Sequence, residues 1–224
     1  MTFDISVLVA NWPAFALGLA KTAGICFASL PIGFALGVAL AFLRLRASRM
    51  INAAVASYVE VIRNVPFLIL VFLLFFVLPF IGIRLDSLSA GLIALVTYAA
   101  AYSCEIVRGA IATIPRGQAE AARALGLNFG TAFLRVLFPQ VLGYILPAAG
   151  NLAITLIKES AVLSVIAVRE LTYTSQDVVG RAFAPVEAFT LAALLYWLLT
   201  AAVAVVTQAL EKRMQPHLIM ENRQ

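Results

Sequence analysis

Long apolar stretches alternate with short polar segments along this 224-residue sequence. Five stretches are long enough to cross a bilayer as helices, which takes roughly 20 residues each, and they cover about residues 14–43, 53–81, 88–112, 133–157 and 186–210. The composition agrees, because 63% of the residues are hydrophobic and only 12% are charged. The pattern predicts an all-α integral membrane protein, with residues 1–224 as one transmembrane domain.

The basic residues predict how this domain is oriented. The loop after the first stretch carries Arg44, Arg46 and Arg49 without an acidic residue, and Lys212 and Arg213 follow the last stretch. Because cytoplasmic loops are enriched in lysine and arginine, we expect the N-terminus outside and the C-terminus in the cytoplasm. This bias also accounts for the net charge of +5 without a nucleic-acid partner.

The first stretch is longer than one crossing requires. We therefore expect a tilted or kinked helix, with Pro31 as the bend. Residues 1–12 are expected to form a separate interfacial segment, with Pro13 opening the span. Gly33 and Gly37 form a G-x-x-x-G pair, which would let a second helix approach closely.

A polar run, RGQAEAARALGLNFGTAFLRVLFP, occupies residues 116–139 in the middle of the apolar sequence. Pro115 suits a helix start, and Gly126 suits the C′ position, where a positive φ ends a helix. Asn128 can cap the helix that follows. The pattern predicts two helices joined by a tight corner. The first helix has little apolar surface to bury, so it either docks into a partner or lies on the membrane surface.

The same run resembles the EAA loop of type I ABC importer permeases, whose pattern is E-A-A, three residues, G, nine residues, then I-x-L-P. Two positions depart from it, with Val136 for isoleucine and Phe138 for leucine. The resemblance implies that the EAA coupling loop, residues 116–131, contains a coupling helix that fits a groove on a cytoplasmic ATPase. The ATPase-coupling residues it implies are Gln118, Glu120, Ala121, Ala122, Arg123, Leu125 and Gly126.

Further segments resemble the polar amino-acid branch of these permeases. The run E-V-I-R-N-V-P at 60–66 resembles its E-x-x-R-x-x-P signature, and 105–118 resembles its E-x-x-R-G and K-G-Q segments, with Arg116 in place of lysine. The run at 139–160 resembles its L-P-Q, P and K-D-T-S elements, with Glu159 for aspartate and Ser160 for threonine. The resemblance thus extends from the first span to the last.

Two Glu-x-x-Arg pairs, Glu60 with Arg63 and Glu105 with Arg108, lie near the expected cytoplasmic ends of the second and third spans. A charge without a partner at that depth would be costly, so each glutamate is expected to pair with its own arginine or with the other helix's. Such pairs either fix the helix register or form part of a gate.

Polar residues also cluster where the fourth span ends. A zwitterionic ligand needs both charge signs, and adjacent Lys158 and Glu159 supply them; alternatively, the two residues only mark the membrane surface. Neighbouring residues point about 100° apart on a helix, so both can line one pocket only if the helix is distorted. The candidate substrate-binding residues are Asn151, Thr155, Lys158, Glu159, Ser160 and Ser164.

The sequence offers no catalytic site and no metal site. It contains no G-x-x-x-x-G-K-[ST] loop for a nucleotide, and His217, the single histidine, lies in the tail, where we expect it to be solvated. Cys26 and Cys104 lie in apolar stretches and are interpreted as small buried residues. We therefore expect a transporter subunit and not an enzyme.

Taken with the resemblance, these features favour a five-helix type I ABC importer permease for polar or charged amino acids. The family implies a multi-pass protein of the bacterial inner membrane that works with ABC ATPase subunits, a second permease copy or paralogue, and a periplasmic substrate-binding protein. ATP and Mg would bind the ATPase and not this chain. The alternative is an ion-coupled secondary transporter or channel, which would favour an unpaired acidic residue near mid-membrane.

Overall fold

A computed structural model describes residues 3–46 and 48–214, so His217 lies outside the described residues. Every regular element in the described part is helical, as the sequence predicts. Its α-helices are α1 (Ile5–Arg46), α2 (Arg49–Asn64), α3 (Phe67–Phe72), α4 (Ser87–Ala112), α5 (Arg116–Ala124), α6 (Phe129–Ala132), α7 (Phe138–Glu159), α8 (Leu171–Ala182) and α9 (Pro185–Met214).

Four segments of the described chain are long and apolar enough to cross a membrane as continuous helices. They coincide with the first, third, fourth and fifth stretches of the sequence pattern. The segments are Ile5–Leu45, Ser87–Ala112, Gly130–Ile166 and Pro185–Met214.

The second predicted span is not one straight helix. Arg49–Asn64 and Phe67–Ile81 are bent by 109° relative to each other. The cause is local: Val65 precedes Pro66, whose ring disfavours helical backbone in the residue before it, and Val65 accordingly takes an extended conformation with ψ 133°. The prediction of one span over residues 53–81 did not use Pro66 as a break, although Glu60, Arg63 and Asn64 make the end of the first half polar.

The start of the first span also differs from the prediction. α1 begins at Ile5 and passes through Pro13, so the expectation of a separate segment before Pro13 is wrong over the described residues. Asp4 caps the helix, because its carboxylate accepts a hydrogen bond from the amide of Ser6 at 2.8 Å. The first turns of α1 are also held by packing, since Phe15 is fully buried in a cluster with α8 and α9.

The G-x-x-x-G pair makes the close helix contact that the sequence predicts. A β-carbon on Gly33 would lie 2.9 Å from the carbonyl oxygen of Val96, and one on Gly37 would lie 2.7 Å from that of Ala100. Any larger side chain would force α1 and α4 apart, so glycine permits this approach. The later residue of α1, Gly37, meets the later residue of α4, Ala100, so the two helices run in the same direction.

The remaining membrane segments alternate in direction. Because α1 and α4 are parallel, the bent pair α2–α3 must return the chain between them. α7 runs against α4, since Val141 clusters with Val107 and Leu152 clusters with Leu95. α9 begins where α1 begins, as the amide of Asp4 donates to Glu187 Oε1 at 3.0 Å. The EAA coupling loop and the end of α9 therefore lie on one side, opposite the start of α1.

α8 closes the side on which α1 begins. Glu170 is fully buried at its N-terminus, and its carboxylate accepts from the amides of Thr172 at 2.9 Å and Tyr173 at 2.7 Å. The hydroxyl of Tyr196 on α9 also donates to it at 2.5 Å. Burial raises the pKa of the Glu170 carboxyl above its ordinary value, although these bonds oppose that shift. One carboxylate thus joins α8 to α9.

Candidate functional site

The corner of the EAA coupling loop has the local geometry that its sequence predicts. α5 ends at Ala124, and Gly126 follows the C-cap with a φ of +76°, the left-handed conformation that glycine adopts without strain. The amide of Leu127 donates to the carbonyl of Ala122 at 3.1 Å, and that of Gly126 donates to Arg123 at 2.9 Å. This pair of bonds is the Schellman motif. Asn128 then caps α6 by accepting from the amide of Thr131 at 2.9 Å.

Among the α5 side chains that the structure describes, all are exposed except that of Ala122. Ala122 is 3% exposed, whereas Leu125 at the end of the helix is 81% exposed. The small apolar face is therefore divided: Ala122 packs inward, and Leu125 points away from the chain. Glu120 and Arg123 are exposed and do not form an ion pair within the described part of the chain. The other exposed residues of the predicted coupling set are Gln118, Ala121 and Gly126.

The polar residues at the end of α7 form a stripe on one side of the helix. Asn151, Thr155 and Lys158 follow the i, i+4, i+7 spacing of a single helix face, and Glu159 lies beside it. Asn151 and Lys158 are exposed, and Thr155 and Glu159 are half-buried. We call these four residues the α7 stripe.

Ser160 and Ser164 do not belong to this surface. Both are buried: the hydroxyl of Ser160 donates to the carbonyl of Ile157 at 2.8 Å, and Gln176 donates to the hydroxyl of Ser164 at 3.5 Å. They lie on a 3₁₀-helical stretch, Ser160–Ile166, that continues α7. The helix does change geometry directly after Glu159, but the change turns the two serines inward.

The Glu-x-x-Arg pairs converge on one carboxylate. Arg108 binds Glu105 with two nitrogens, its Nη2 lying 2.6 Å from Oε2 and its Nε 3.1 Å from Oε1. Arg44 from the end of α1 forms an ion pair with Oε1, and Arg63 from α2 lies 3.9 Å from Oε2. Glu105 itself is 18% exposed. One half-buried carboxylate therefore holds three helices together.

Glu60 behaves differently from Glu105. It is exposed and forms no ion pair within the described residues, although it lies one turn from Arg63 on α2. The expectation that Glu60 pairs with its own arginine or with the other helix's is therefore wrong in the described structure, because Arg63 and Arg108 both lie at Glu105. The predicted pair of Glu105 with Arg108 is present.

Two aromatic rings extend this cluster along α4. The guanidinium of Arg63 lies 5.2 Å from the ring centre of Tyr102, which stacks on Tyr98 at 4.4 Å between ring centres. The sequence analysis missed both tyrosines and Arg44. The spacing Tyr98, Tyr102, Glu105 on one face of α4 was the available signal for the tyrosines.

Comparison with known families gives a match over most of the chain. Residues 33–216 match the family described as binding-protein-dependent transport system inner membrane component. Among curated relatives, the Probable glutamine ABC transporter permease protein GlnM of Bacillus subtilis (strain 168) is 33% identical over 212 residues, covering 95% of this chain and 98% of that protein. The Glutamine transport system permease protein GlnP of Escherichia coli (strain K12) is 32% identical over 220 residues, covering 96% and 99%.

Solved structures give the same result. The chain is similar to one described as an amino acid ABC transporter with histidines, with a TM-score of 0.89, 33% identity, and coverage of 95% of this chain and 100% of that chain. It is also similar to an inward-facing MetNI methionine ABC transporter, with a TM-score of 0.69, 25% identity, and coverage of 89% and 97%.

Proposed function

The chain belongs to the family of binding-protein-dependent transport system inner membrane components, and we propose that it is the membrane-spanning subunit of an ATP-driven importer of polar or charged amino acids. It is a multi-pass permease of the inner membrane. ATP is hydrolysed on a separate partner subunit and not on this chain. The observation that carries the proposal is the α5 corner, an exposed helix end built by Gly126 in a chain that matches amino-acid permeases along its length.

Coupling to the ATPase would use the exposed side of α5. Leu125 offers an apolar side chain that is 81% exposed in the described structure, and Glu120 and Arg123 offer charges of both signs. An apolar anchor flanked by free charges suits a groove with complementary charges. The Schellman motif at Gly126 fixes the angle between α5 and the helix that follows, so a push on α5 would reach α7.

The substrate path would run along the α7 stripe. Asn151, Lys158 and Glu159 lie at or near the surface of the single chain, where lipid would be a poor partner for them. A second permease copy or a paralogue against this face would enclose the stripe in a water-accessible path. Lys158 would attract the carboxylate of an amino acid and Glu159 its ammonium group.

The distribution of charge and the directions of the helices together support the proposed orientation. The side of the molecule that holds the EAA coupling loop also holds Arg44 and Arg49, so the positive-inside rule puts it in the cytoplasm. The N-terminus would then be outside, facing a periplasmic substrate-binding protein. Mg and ATP would be bound by two ATPase subunits beneath the coupling helices.

The test is uptake by the whole transporter in proteoliposomes. The chain is co-expressed with its ATPase, the binding protein is added outside, and uptake of radiolabelled L-glutamine, L-arginine and L-glutamate is measured. We expect uptake of at least one of them to require ATP inside and to persist when ion gradients are collapsed. Uptake that follows an ion gradient without ATP would instead establish the secondary-transporter alternative.

A further inference from the structure

A polar cavity lies where α2 ends near the C-terminal half of α4, on the proposed cytoplasmic side. It is separate from the α7 stripe. Its volume is about 330 Å³, and six of its eight lining residues have polar side chains. The end of α1 forms the third wall. The polar lining residues are Arg44, Glu60, Arg63, Asn64, Tyr102 and Glu105.

The charges around this cavity are unequally matched. The charge of the Glu105 carboxylate is already balanced, because Arg108 binds it with two nitrogens and Arg44 forms a further ion pair with it. Arg63 is the loosest of the three arginines, at 3.9 Å from Oε2 and 42% exposed. Glu60 forms no ion pair in the described part of the chain. The cavity thus presents one acid without an ion pair in the described residues and one base whose contact with Glu105 is long enough to be exchanged for a ligand.

These two groups line the same cavity from neighbouring turns of one helix, as binding both charges of an α-amino acid requires. Glu60 and Arg63 are i and i+3 on α2, so their β-carbons are about 5–6 Å apart and their side chains rise from one helix face. An α-amino acid carries its carboxylate and ammonium on the same carbon. Arginine binds carboxylates with two parallel hydrogen bonds, and glutamate accepts hydrogen bonds from an ammonium group.

We propose that this cavity is an inner amino-acid site, in which Arg63 binds the α-carboxylate of a transported amino acid and Glu60 binds its ammonium group. Tyr102 forms a wall, and its ring centre lies 5.2 Å from the Arg63 guanidinium carbon. Because this contact already restricts the Arg63 side chain, binding a ligand costs less conformational entropy. The site rests on the proposed function, because it would bind the same substrate after the α7 stripe and before release on the cytoplasmic side. The proposed site should bind only ligands that carry both a carboxylate and an ammonium group.

The neighbouring rings support Arg63 from one side. Arg63 contacts Tyr102, and Tyr102 stacks on Tyr98. A substrate carboxylate at Arg63 would draw that arginine from Glu105, whose charge remains balanced by Arg108 and Arg44. The structure therefore lets Arg63 change partners without leaving a carboxylate alone.

The experiment is protection of a single reporter cysteine in the intact transporter. Ala56 lines the cavity, and the native cysteines Cys26 and Cys104 are buried, so Ala56→Cys gives a site-specific signal in nanodiscs. We measure its modification rate by a small thiol reagent while titrating L-glutamine, L-arginine and L-glutamate separately. At ten times the dissociation constant the rate should fall by about tenfold, because the free fraction is 1/(1 + [L]/Kd).

The controls isolate the site. Met50→Cys, on the same helix but 84% exposed and outside the cavity lining, should not be protected. Agmatine, which lacks the carboxylate, and N-acetyl-L-glutamine, which lacks the ammonium group, should not protect Ala56→Cys. Glu60→Gln or Arg63→Gln should raise the half-protecting concentration about tenfold or more, since each removes a charge-assisted bond. Asn64→Cys is the second reporter if Ala56→Cys does not assemble.

Each outcome either supports or overturns the inner amino-acid site. None of them depends on the same result as the test of the importer function. Protection that needs Glu60 and Arg63 but survives Glu159→Gln establishes the inner site. Protection lost with Glu159→Gln but kept with Glu60→Gln would be transmitted from the α7 stripe, and it overturns the inner site. Absence of protection in a transporter that performs ATP-driven uptake also overturns it and leaves the importer standing.

Discussion

The amide of Leu127 donates a hydrogen bond to the carbonyl of Ala122 at 3.1 Å, across the left-handed Gly126. This bond closes the end of α5 and sets the direction in which the chain leaves toward α6. Ala122 is buried at this corner, whereas Leu125 at the helix end remains exposed. The corner is therefore a rigid connection between the proposed ATPase-contacting surface and the fourth membrane segment.

Gly126→Val should impair coupling more than membrane insertion. The φ of +76° is strained for any β-branched residue, at a cost of about 1–2 kcal/mol, so the corner would open locally. We expect normal insertion with ATP-driven uptake reduced about tenfold, measured in proteoliposomes. Gly117→Ala is the matched control, because that glycine also faces open space but has no positive φ. Unchanged uptake by Gly126→Val would contradict a coupling role for the corner.

Gly37→Ala should destabilise the fold itself. Its new β-carbon would lie 2.7 Å from the carbonyl oxygen of Ala100 and 2.8 Å from the amide of Cys104, and these backbone atoms cannot move aside. The overpacking should cost about 1–3 kcal/mol, seen as a lower unfolding temperature of the purified chain. Gly24→Ala on the same helix meets no atom within 4 Å and should match or exceed the wild type. Equal loss in both variants would contradict the close approach of α1 and α4.

Glu105→Gln should be far more damaging than Glu60→Gln. It leaves Arg44 and Arg108 half-buried without their carboxylate, and breaking such a pair costs about 3 kcal/mol or more. Glu60 forms no ion pair in the described chain, so its replacement should change the free energy of unfolding by less than about 0.5 kcal/mol. Denaturant unfolding in detergent checks both. Similar losses would show that the charge cluster is not centred on Glu105.

Glu170 should make stability depend on pH. Burial raises the pKa of its carboxyl in the folded state, so the folded protein binds the proton more tightly than the unfolded chain. This contribution is fully present below the ordinary carboxyl pKa and is lost as the pH rises through the raised value. Glu170→Gln should therefore lose less stability than the wild type between pH 4.5 and 8, measured by thermal unfolding. If the wild type and Glu170→Gln differ in unfolding temperature by the same amount at every pH in that range, the raised pKa of Glu170 is contradicted.

Local features of the fold were predictable from the sequence. The positive φ of Gly126 and the cap at Asn128 depend on neighbouring residues alone, and both are present as predicted. The break at Pro66 depends on one proline and was equally local, and the polar residues Glu60, Arg63 and Asn64 directly before it were a further signal that the prediction of one span over 53–81 did not use. Hydrophobic runs identify membrane segments well and their straightness poorly.

The candidate sites depend on tertiary structure and were predicted only in part. Arg44 is 61 residues from Glu105 in sequence, so no spacing rule joins them. Ser160 and Ser164 are polar residues beside a polar stripe, yet the 3₁₀ stretch turns them into the core. Ala122 belongs to the E-A-A motif, yet packing against the chain removes it from the exposed surface. A motif identifies a functional element, and packing decides which of its side chains are available.

The most direct test of coupling is a reversible cross-link from α5 to the ATPase. Leu125→Cys offers an 81% exposed position, and Phe80→Cys, 90% exposed at the opposite end of the membrane segments, is the control. With a cleavable bifunctional thiol reagent, Leu125→Cys should be joined to the ATPase and lose ATP-driven uptake, and reduction should restore it, whereas Phe80→Cys should do neither. An active transporter in which Leu125→Cys never reaches the ATPase, or keeps full uptake when cross-linked, would contradict the account.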